Sequence, residues 1–334
     1  MTPVTASAIV FNVVWTGRVF DFLSPFVASQ IHHSSARFRF IANACPPDQL
    51  VAMEAFAAHH PGRVVEVHEV STDEMLPHGV VLDRVFQTRD DGGFFALIDP
   101  DIVAREPFLD VFLDLLGNRA AVTSGKEVWS THNIKPADHP GVNGEYFFDQ
   151  DGFAFGSPHF AIYRSKALRS TADRWDIGFG SKGNDLSEPA RTRLGEMGRD
   201  YWVYDTGKIV NILLQGDGHE LIHQEHPALV HIGGVSHFLA PPSSAPGAQG
   251  KPVRWGEGDA WGQEAGTRDR YIIAQYSAAV LEALGQHLPA PQIPVGLTSG
   301  LEDRLMLART TLIDLVEAFG SEPGQSPASS GYHP

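Results

Sequence analysis

The 334-residue chain has one cysteine, Cys45, so no disulfide can form within it. That usage fits a reducing, cytoplasmic setting, with Cys45 a small residue near a strand end. Basic residues are also few: 25 Lys and Arg stand against 40 Asp and Glu, a formal net charge of −15. Nucleic acid demands a clustered basic footprint, and no Lys/Arg cluster supplies one. An anionic membrane surface is disfavoured for the same reason. No apolar run reaches the roughly 18 residues that mark a membrane span. The opening MTPVTASAIVFNVVW lacks a basic segment, so its apolar residues read as a first strand and not as a secretory leader. Also missing are G-x-x-x-x-G-K-[ST], a G-x-G-x-x-G after the first strand, H-E-x-x-H and G-x-S-x-G. Their absence argues against P-loop NTPase, dinucleotide dehydrogenase, zinc protease and serine hydrolase chemistry.

The residues that are present support a folded enzyme-sized unit. Hydrophobic residues make up 43% of the chain, enough for a real core. Acidic charge does not exclude a phosphate ligand, because a divalent cation held by carboxylates neutralises phosphate locally. Apolar runs at residues 9–15 (IVFNVVW), 38–44 (FRFIANA), 64–70 (VVEVHEV) and 94–98 (FFALI) read as strands. Helical stretches are expected between them, at 21–30 with Ser24-Pro25 as an internal start signal, in PPDQLVAMEAFAAHH, and at 80–88. Strands alternating with helices over short connections predict a parallel sheet covered on both faces.

The middle is less regular. Residues 126–168 mix aromatics, His and Gly and read as loops with short strands, suited to acceptor contacts or to ordinary aromatic packing. A helix is expected at 185–197 and a short strand at 201–204, while 209–215 is ambiguous between the two. Residues 1–240 are expected to form one domain, with 241–267 a Pro/Gly-rich linker or loop. Residues 268–320 read as a helical pair that packs on the sheet domain or on a second subunit as a homodimer. Residues 321–334 read as a disordered tail.

Ligands of open α/β sheets bind beyond the carboxyl ends of strands. Asp99-Pro100-Asp101 sits at such an end, directly after FFALI and before IVAREPFLDVF, a return into a helix. Two Asp separated by one residue can both reach a hard cation when a strand ends in a turn, and Pro100 stiffens that turn. Alone, an Asp-x-Asp triplet is weak evidence, since most copies are solvated turns.

Here the chain resembles the GT-A glycosyltransferases. The resemblance lies in FNVVW, in HGVVLDRVF and in FFALIDPDIVAREPFL. It implies a Rossmann-like, mixed but mostly parallel sheet flanked by helices, a nucleoside-diphosphate sugar as donor, and Mn²⁺ or Mg²⁺ as cofactor. It implies ribose or metal contacts for Asp99 and a metal contact for Asp101. Residues 11–16 would flank the base, beginning with Phe11 and with Thr16 as a base contact, while Gly79, Asp83 and Arg84 would lie near the nucleotide. Asp83 and Arg84 read equally well as an exposed helical charge pair.

Two later stretches extend the likeness. WDIGFGSKGNDLSEPARTRLGEMGRDYWVYDTG is similar to the region carrying the catalytic base of inverting members, which places Asp185 as the carboxylate that deprotonates the acceptor. On helix grammar alone, Asn184 or Asp185 is an N-cap, with Glu188 in the first turn. Asn184 stands where such members often carry a second acid, and Pro189 falls inside the helix's first turns. LVHIGGVSH resembles a His-x-x-Gly motif of retaining members, which implies His231 as a metal ligand. His237 falls where those members have a phosphate-binding Lys. The two stretches point to opposite stereochemistry, and inversion is the preferred expectation. The acceptor is expected to be a soluble small molecule or glycan. The rival readings are a sugar-nucleotide nucleotidyltransferase, for which only Gly17-Arg18 follows the first strand, and a non-catalytic nucleotide-sugar binder.

Overall fold

The computed structural model describes residues 5–89, 91–130, 148–149, 151–156, 159–200, 206–239 and 265–320. The strand expected at 201–204, most of the segment 241–267 and the tail 321–334 lie outside them.

The first third follows the expected alternation closely: β1 (Val10–Thr16), α1 (Phe20–His32), β2 (Arg37–Asn43), α2 (Pro47–His59), β3 (Val64–Ser71), α3 (His78–Thr88) and β4 (Phe94–Ile98). Each strand but β3 is buried along nearly its whole length, as expected where helices cover both faces of a sheet. Ser24-Pro25 does not start a helix. α1 begins at Phe20 and carries Pro25 internally, with both residues buried. Then come β5 (Ile102–Ala104), α4 (Leu109–Leu116), β6 (Ala121–Ser124), β7 (Phe160–Arg164), α5 (Ser165–Trp175), α6 (Glu188–Glu196) and α7 (Lys208–Gly216). α7 settles the ambiguous stretch as helix. β8 (Leu221–His223), β9 (Leu229–His231), the one-turn α8 (Ser236–Leu239), α9 (Ala265–Gly285) and α10 (Ser299–Phe319) complete the chain.

Seven strands form one sheet in the order β3-β2-β1-β4-β7-β6-β8. β1 to β4 are mutually parallel, β6 and β8 share their direction, and β7 runs against both its neighbours. This is the mixed, mostly parallel α/β architecture expected. The reversed β7 has a consequence for the site: its amino end, not its carboxyl end, lies beside the end of β4, with Ile98 opposite Phe160. β5 and β9 form a separate two-stranded antiparallel ribbon.

The C-terminal helices belong to the same core as the sheet. Tyr276, Leu305 and Leu312 are fully buried in one apolar cluster with Phe26 of α1 and Phe11 of β1. At the outer edge the His32 and His33 rings meet Phe319 at 5.6 and 6.5 Å. No helix among the described residues is long and apolar enough to cross a membrane.

At the sheet edge remote from Asp99, Arg39 of β2 is buried and makes four hydrogen bonds. Its guanidinium donates to both oxygens of Asp91, to Asn12 Oδ1 and to Glu66 Oε2, at 2.8–2.9 Å. Asn12 in turn donates to the carbonyl of Ala96, so one side chain ties β1, β2, β3 and the turn before β4 together.

Candidate metal and donor site

The acidic triplet is held from below. Gln30 of α1, fully buried, donates its Nε2 to the carbonyls of Ile102 (2.7 Å) and Asp99 (3.3 Å). Ser29 Oγ accepts from the amide of Ala104 at 3.0 Å. The turn Asp99-Pro100-Asp101 is therefore fixed between β4, which ends before it, and β5, which α1 clamps.

The β5·β9 ribbon then delivers His231. Ile102 pairs with His231, and the amide of Ile232 donates to the carbonyl of Asp101 at 3.1 Å. His231 is 2% exposed at its side chain, with Nε2 at 3.1 Å from Asp101 Oδ1 and 3.9 Å from Asp99 Oδ2. Its other nitrogen, Nδ1, faces the carbonyl of Gly125 at 2.7 Å. The three residues expected to gather around a metal are thus brought together.

Two residues join them that sequence reasoning did not single out. His159 precedes β7, and its carbonyl accepts from the amide of Asp99 at 2.7 Å. His159 Nδ1 lies 2.9 Å from Asp99 Oδ2, and Nε2 lies 2.6 Å from Glu127 Oε1. That second contact lacks hydrogen-bond alignment, so His159 Nε2 is a buried atom without a hydrogen bond, as is Glu127 Oε2. Glu127 is placed by a backbone bridge to His231, whose carbonyl accepts from Val128. The two imidazole rings stand 4.5 Å apart. Close approach of these segments depends on two glycines. A Cβ on Gly125 (φ +98°) would meet His159 Cβ at 2.9 Å, and one on Gly233 (φ +76°) would meet Glu127 Cγ and Trp129 Nε1 at 2.7 Å.

The electrostatics follow from this crowding. Burial pushes the Asp101 and Glu127 carboxyls up, but the facing imidazoles outweigh it and hold both below the usual carboxylate range. Burial pulls the two imidazoles down, but the carboxylates outweigh it and raise His231, and raise His159 well above its ordinary value. Three carboxylates face two imidazoles in a nearly dry site, an excess of negative charge that suits a divalent cation.

The remaining candidates divide. Thr16 ends β1 at the carboxyl edge, half-buried, opposite Asn43. Phe11 does not face a ligand: its ring is fully buried between Phe38 and Phe160, at centroid distances of 5.9 and 5.3 Å, in the middle of the core. Asp83 is likewise committed. Its oxygens accept from the amides of Phe179 (2.6 Å) and Gly180 (3.0 Å), so it anchors the loop after α5. Burial raises its pKa, and those two amides partly offset the rise. Gly79 is a packing glycine against the same loop, since a Cβ there would stand 2.5 Å from the Phe179 carbonyl oxygen and 2.6 Å from Gly180. Arg84 is exposed on α3. The atoms facing Gly79 are backbone and cannot swing away, so Gly79→Ala should lower stability by about 1–3 kcal/mol in urea unfolding. An unchanged midpoint would show that the loop yields freely.

Asp185 is exposed in a single 3₁₀ turn, Gly183–Asp185, within the loop that Gly79 and Asp83 hold at the carboxyl edge. It does not cap α6. Ser187 is the N-cap, accepting from the amide of Ala190, and Pro189 sits harmlessly in the first turn. His237 lies in α8 just past the Gly233-Gly234 turn, and its side chain is outside the described residues.

No protein-family model matches the chain, and no curated protein does. Among solved structures it is similar to the galactosyltransferase LgtC in complex with donor and acceptor sugar analogs, at 13% identity over 72% of this chain and 92% of that one, TM-score 0.43. It is also similar to the mannosyltransferase PcManGT from Pyrobaculum calidifontis in complex with GDP-Man and Mn²⁺, at 14% identity over 96% and 89%, TM-score 0.38. A third is the glycosyltransferase GlyE of Streptococcus pneumoniae TIGR4, at 10% identity over 96% and 66%, TM-score 0.38. Likeness at this level carries no argument about chemistry, and the fold stands on the strand order described above.

Proposed function

We propose that the protein is a GT-A-type glycosyltransferase, transferring a sugar from a nucleoside-diphosphate donor to an acceptor hydroxyl with the help of Mn²⁺ or Mg²⁺. The observation that carries the reading is the convergence of Asp99, Asp101 and His231 beyond the carboxyl end of β4. These residues fit a cation by their chemistry, and the unpartnered Oε2 of buried Glu127 marks the cluster as short of positive charge. Asp99, Asp101 and His231 would hold the ion, which when bound would neutralise the departing diphosphate.

The chain's own residues do the rest. Gln30 and Ser29 fix the triplet's backbone, so the carboxylates need no reorganisation when the donor arrives. Thr16, at the open end of β1, is the contact for the base. Asp185 is the acceptor's base: it is exposed, it follows the loop that Asp83 anchors, and it has no part in capping α6. A base on the acceptor side supports inversion at the anomeric carbon.

Thermal unfolding with UDP, GDP, dTDP and CMP, each with and without Mn²⁺, tests the reading on the wild type and on Asp101→Asn. A ligand at about 100 times its dissociation constant adds roughly 2.7 kcal/mol. One nucleoside diphosphate should raise the wild-type melting temperature only when metal is present, and Asp101→Asn should lose that rise. No shift with any nucleotide would remove the reading's support.

A further inference from the structure

We infer that His159 is a direct metal ligand, so that two imidazoles and at least one carboxylate grip the cation and select a first-row transition dication over Mg²⁺ or Ca²⁺. The inference rests on the proposed function only in taking this cluster to be a cation site.

The argument begins with which atoms converge. Asp99, His159 and His231 each present one donor atom, and the three lie within 4.8 Å of one another. Each pair places an imidazole nitrogen or a carboxylate oxygen against another lone-pair atom. A proton can join two of three such atoms. A dication joins all three.

The second argument is how the rings are turned. A ligating imidazole keeps one nitrogen for the metal and gives the N–H of the other to a carbonyl or carboxylate, which fixes its tautomer. His231 does this with Nδ1 toward the Gly125 carbonyl at 2.7 Å, leaving Nε2 toward Asp99 and Asp101. His159 is set the same way round with the nitrogens exchanged, its second nitrogen in close contact with a carboxylate but without hydrogen-bond alignment. Its Nε2 faces buried Glu127 at 2.6 Å and its Nδ1 faces Asp99 at 2.9 Å. Glu127, 4% exposed and with Oε2 free of any hydrogen bond, is then a positioning residue for His159. Gly125 and Gly233 keep clear the space that lets both rings approach.

The third argument is donor chemistry. Mg²⁺ prefers oxygen at close octahedral distances and keeps its waters. Imidazole nitrogen suits first-row transition dications such as Zn²⁺, and affinity for a given site rises along that row from Mn²⁺ through Co²⁺, so each added imidazole tilts a site away from Mg²⁺ and toward them.

The test uses the full chain and metal alone, without nucleotide. Calorimetric titration of the wild type should show Mn²⁺ and Co²⁺ binding more tightly than Mg²⁺. Pulsed EPR of the Mn²⁺-loaded wild type should show coupling to two imidazole nitrogens. A folded His159→Gln should lose at least about tenfold in Mn²⁺ affinity and show one nitrogen. A single coupled nitrogen in the wild type, or unchanged Mn²⁺ affinity in a folded His159→Gln, overturns the inference and leaves the proposed function standing. Failure of the wild type to bind any of the three ions overturns both. The wild-type spectrum decides the matter even if the variant does not fold.

Discussion

Asp185→Asn should lower kcat by about 10²–10⁴-fold, the usual contribution of a positioned general base, while the nucleotide- and metal-dependent rise in melting temperature stays as in the wild type. Asparagine keeps the shape of the side chain and loses its basicity. Asp185 is exposed and caps nothing, so the exchange leaves the loop and α6 intact. Kinetic loss without loss of donor binding is the signature of a residue that acts on the acceptor. The product's anomeric configuration, read by proton NMR from the wild type, should be opposite to the donor's. Retention of configuration, or an unaltered kcat in the variant, would take the base role away from Asp185.

Arg39→Met should cost about 3–5 kcal/mol of unfolding free energy, because it strips the partner from a buried carboxylate. The side chains of Arg39 and Asp91 are 7% and 8% exposed and bond through both oxygens of Asp91 at 2.8 Å. Water cannot replace the guanidinium there. The variant should also leave Asn12 Oδ1 without its donor. Metal and nucleotide affinity should be unchanged, since the cluster lies at the opposite edge of the sheet from Asp99. Glu66 adds a pH signature. Hydrogen bonds from Arg89, then Arg39, outweigh burial and hold its carboxyl below the ordinary 4.5. A carboxyl lowered on folding stabilises above its unfolded value and loses that contribution as pH falls through its folded value. Wild-type stability should therefore decline on acidification below about pH 4.5, and Arg39→Met should show a shallower decline from this source. Urea unfolding at several pH values measures both; a loss under 1 kcal/mol would mean that the surroundings solvate Asp91.

The parts of the fold that show in the sequence are those where one physical signal dominates. β1, β2 and β4 are buried apolar runs flanked by turn residues, and their limits fall within one residue of expectation. The triplet shows because it follows such a run. His231 shows through the likeness of LVHIGGVSH to a His-x-x-Gly motif, and both glycines of that stretch stand at positive φ. His159 and Glu127 stay hidden for a topological reason. Attention goes to carboxyl ends of strands, and β7 is reversed, so it presents its amino end at the site. The signal was there in FAIYR, a strand-forming run directly after His159. Phe11 misleads because it lies near the amino end of β1, where its ring packs in the core, while the ligand edge is at Thr16. The cap of α6 is read wrongly as Asn184 or Asp185, although Ser187 before Glu188-Pro189 carries the helix-opening grammar. The roles of Asp83 and Gly79 are not legible, because the loop they hold lies almost a hundred residues away, 96 positions on in the case of Phe179.

The β5·β9 ribbon also sets an order of events. His231 and Asp101 are 130 residues apart in the chain, and the ribbon brings them into contact. A chain growing from its amino end can complete β1 through β4 early, with Asp99 and Asp101 already presented. It has no closed pocket for an ion until β9 has emerged and paired. Contacts of such long sequence separation form slowly. Tight metal uptake is thus a late report of complete folding, and a ribosome-bound fragment ending before residue 229 should take up the ion no better than its exposed carboxylates allow.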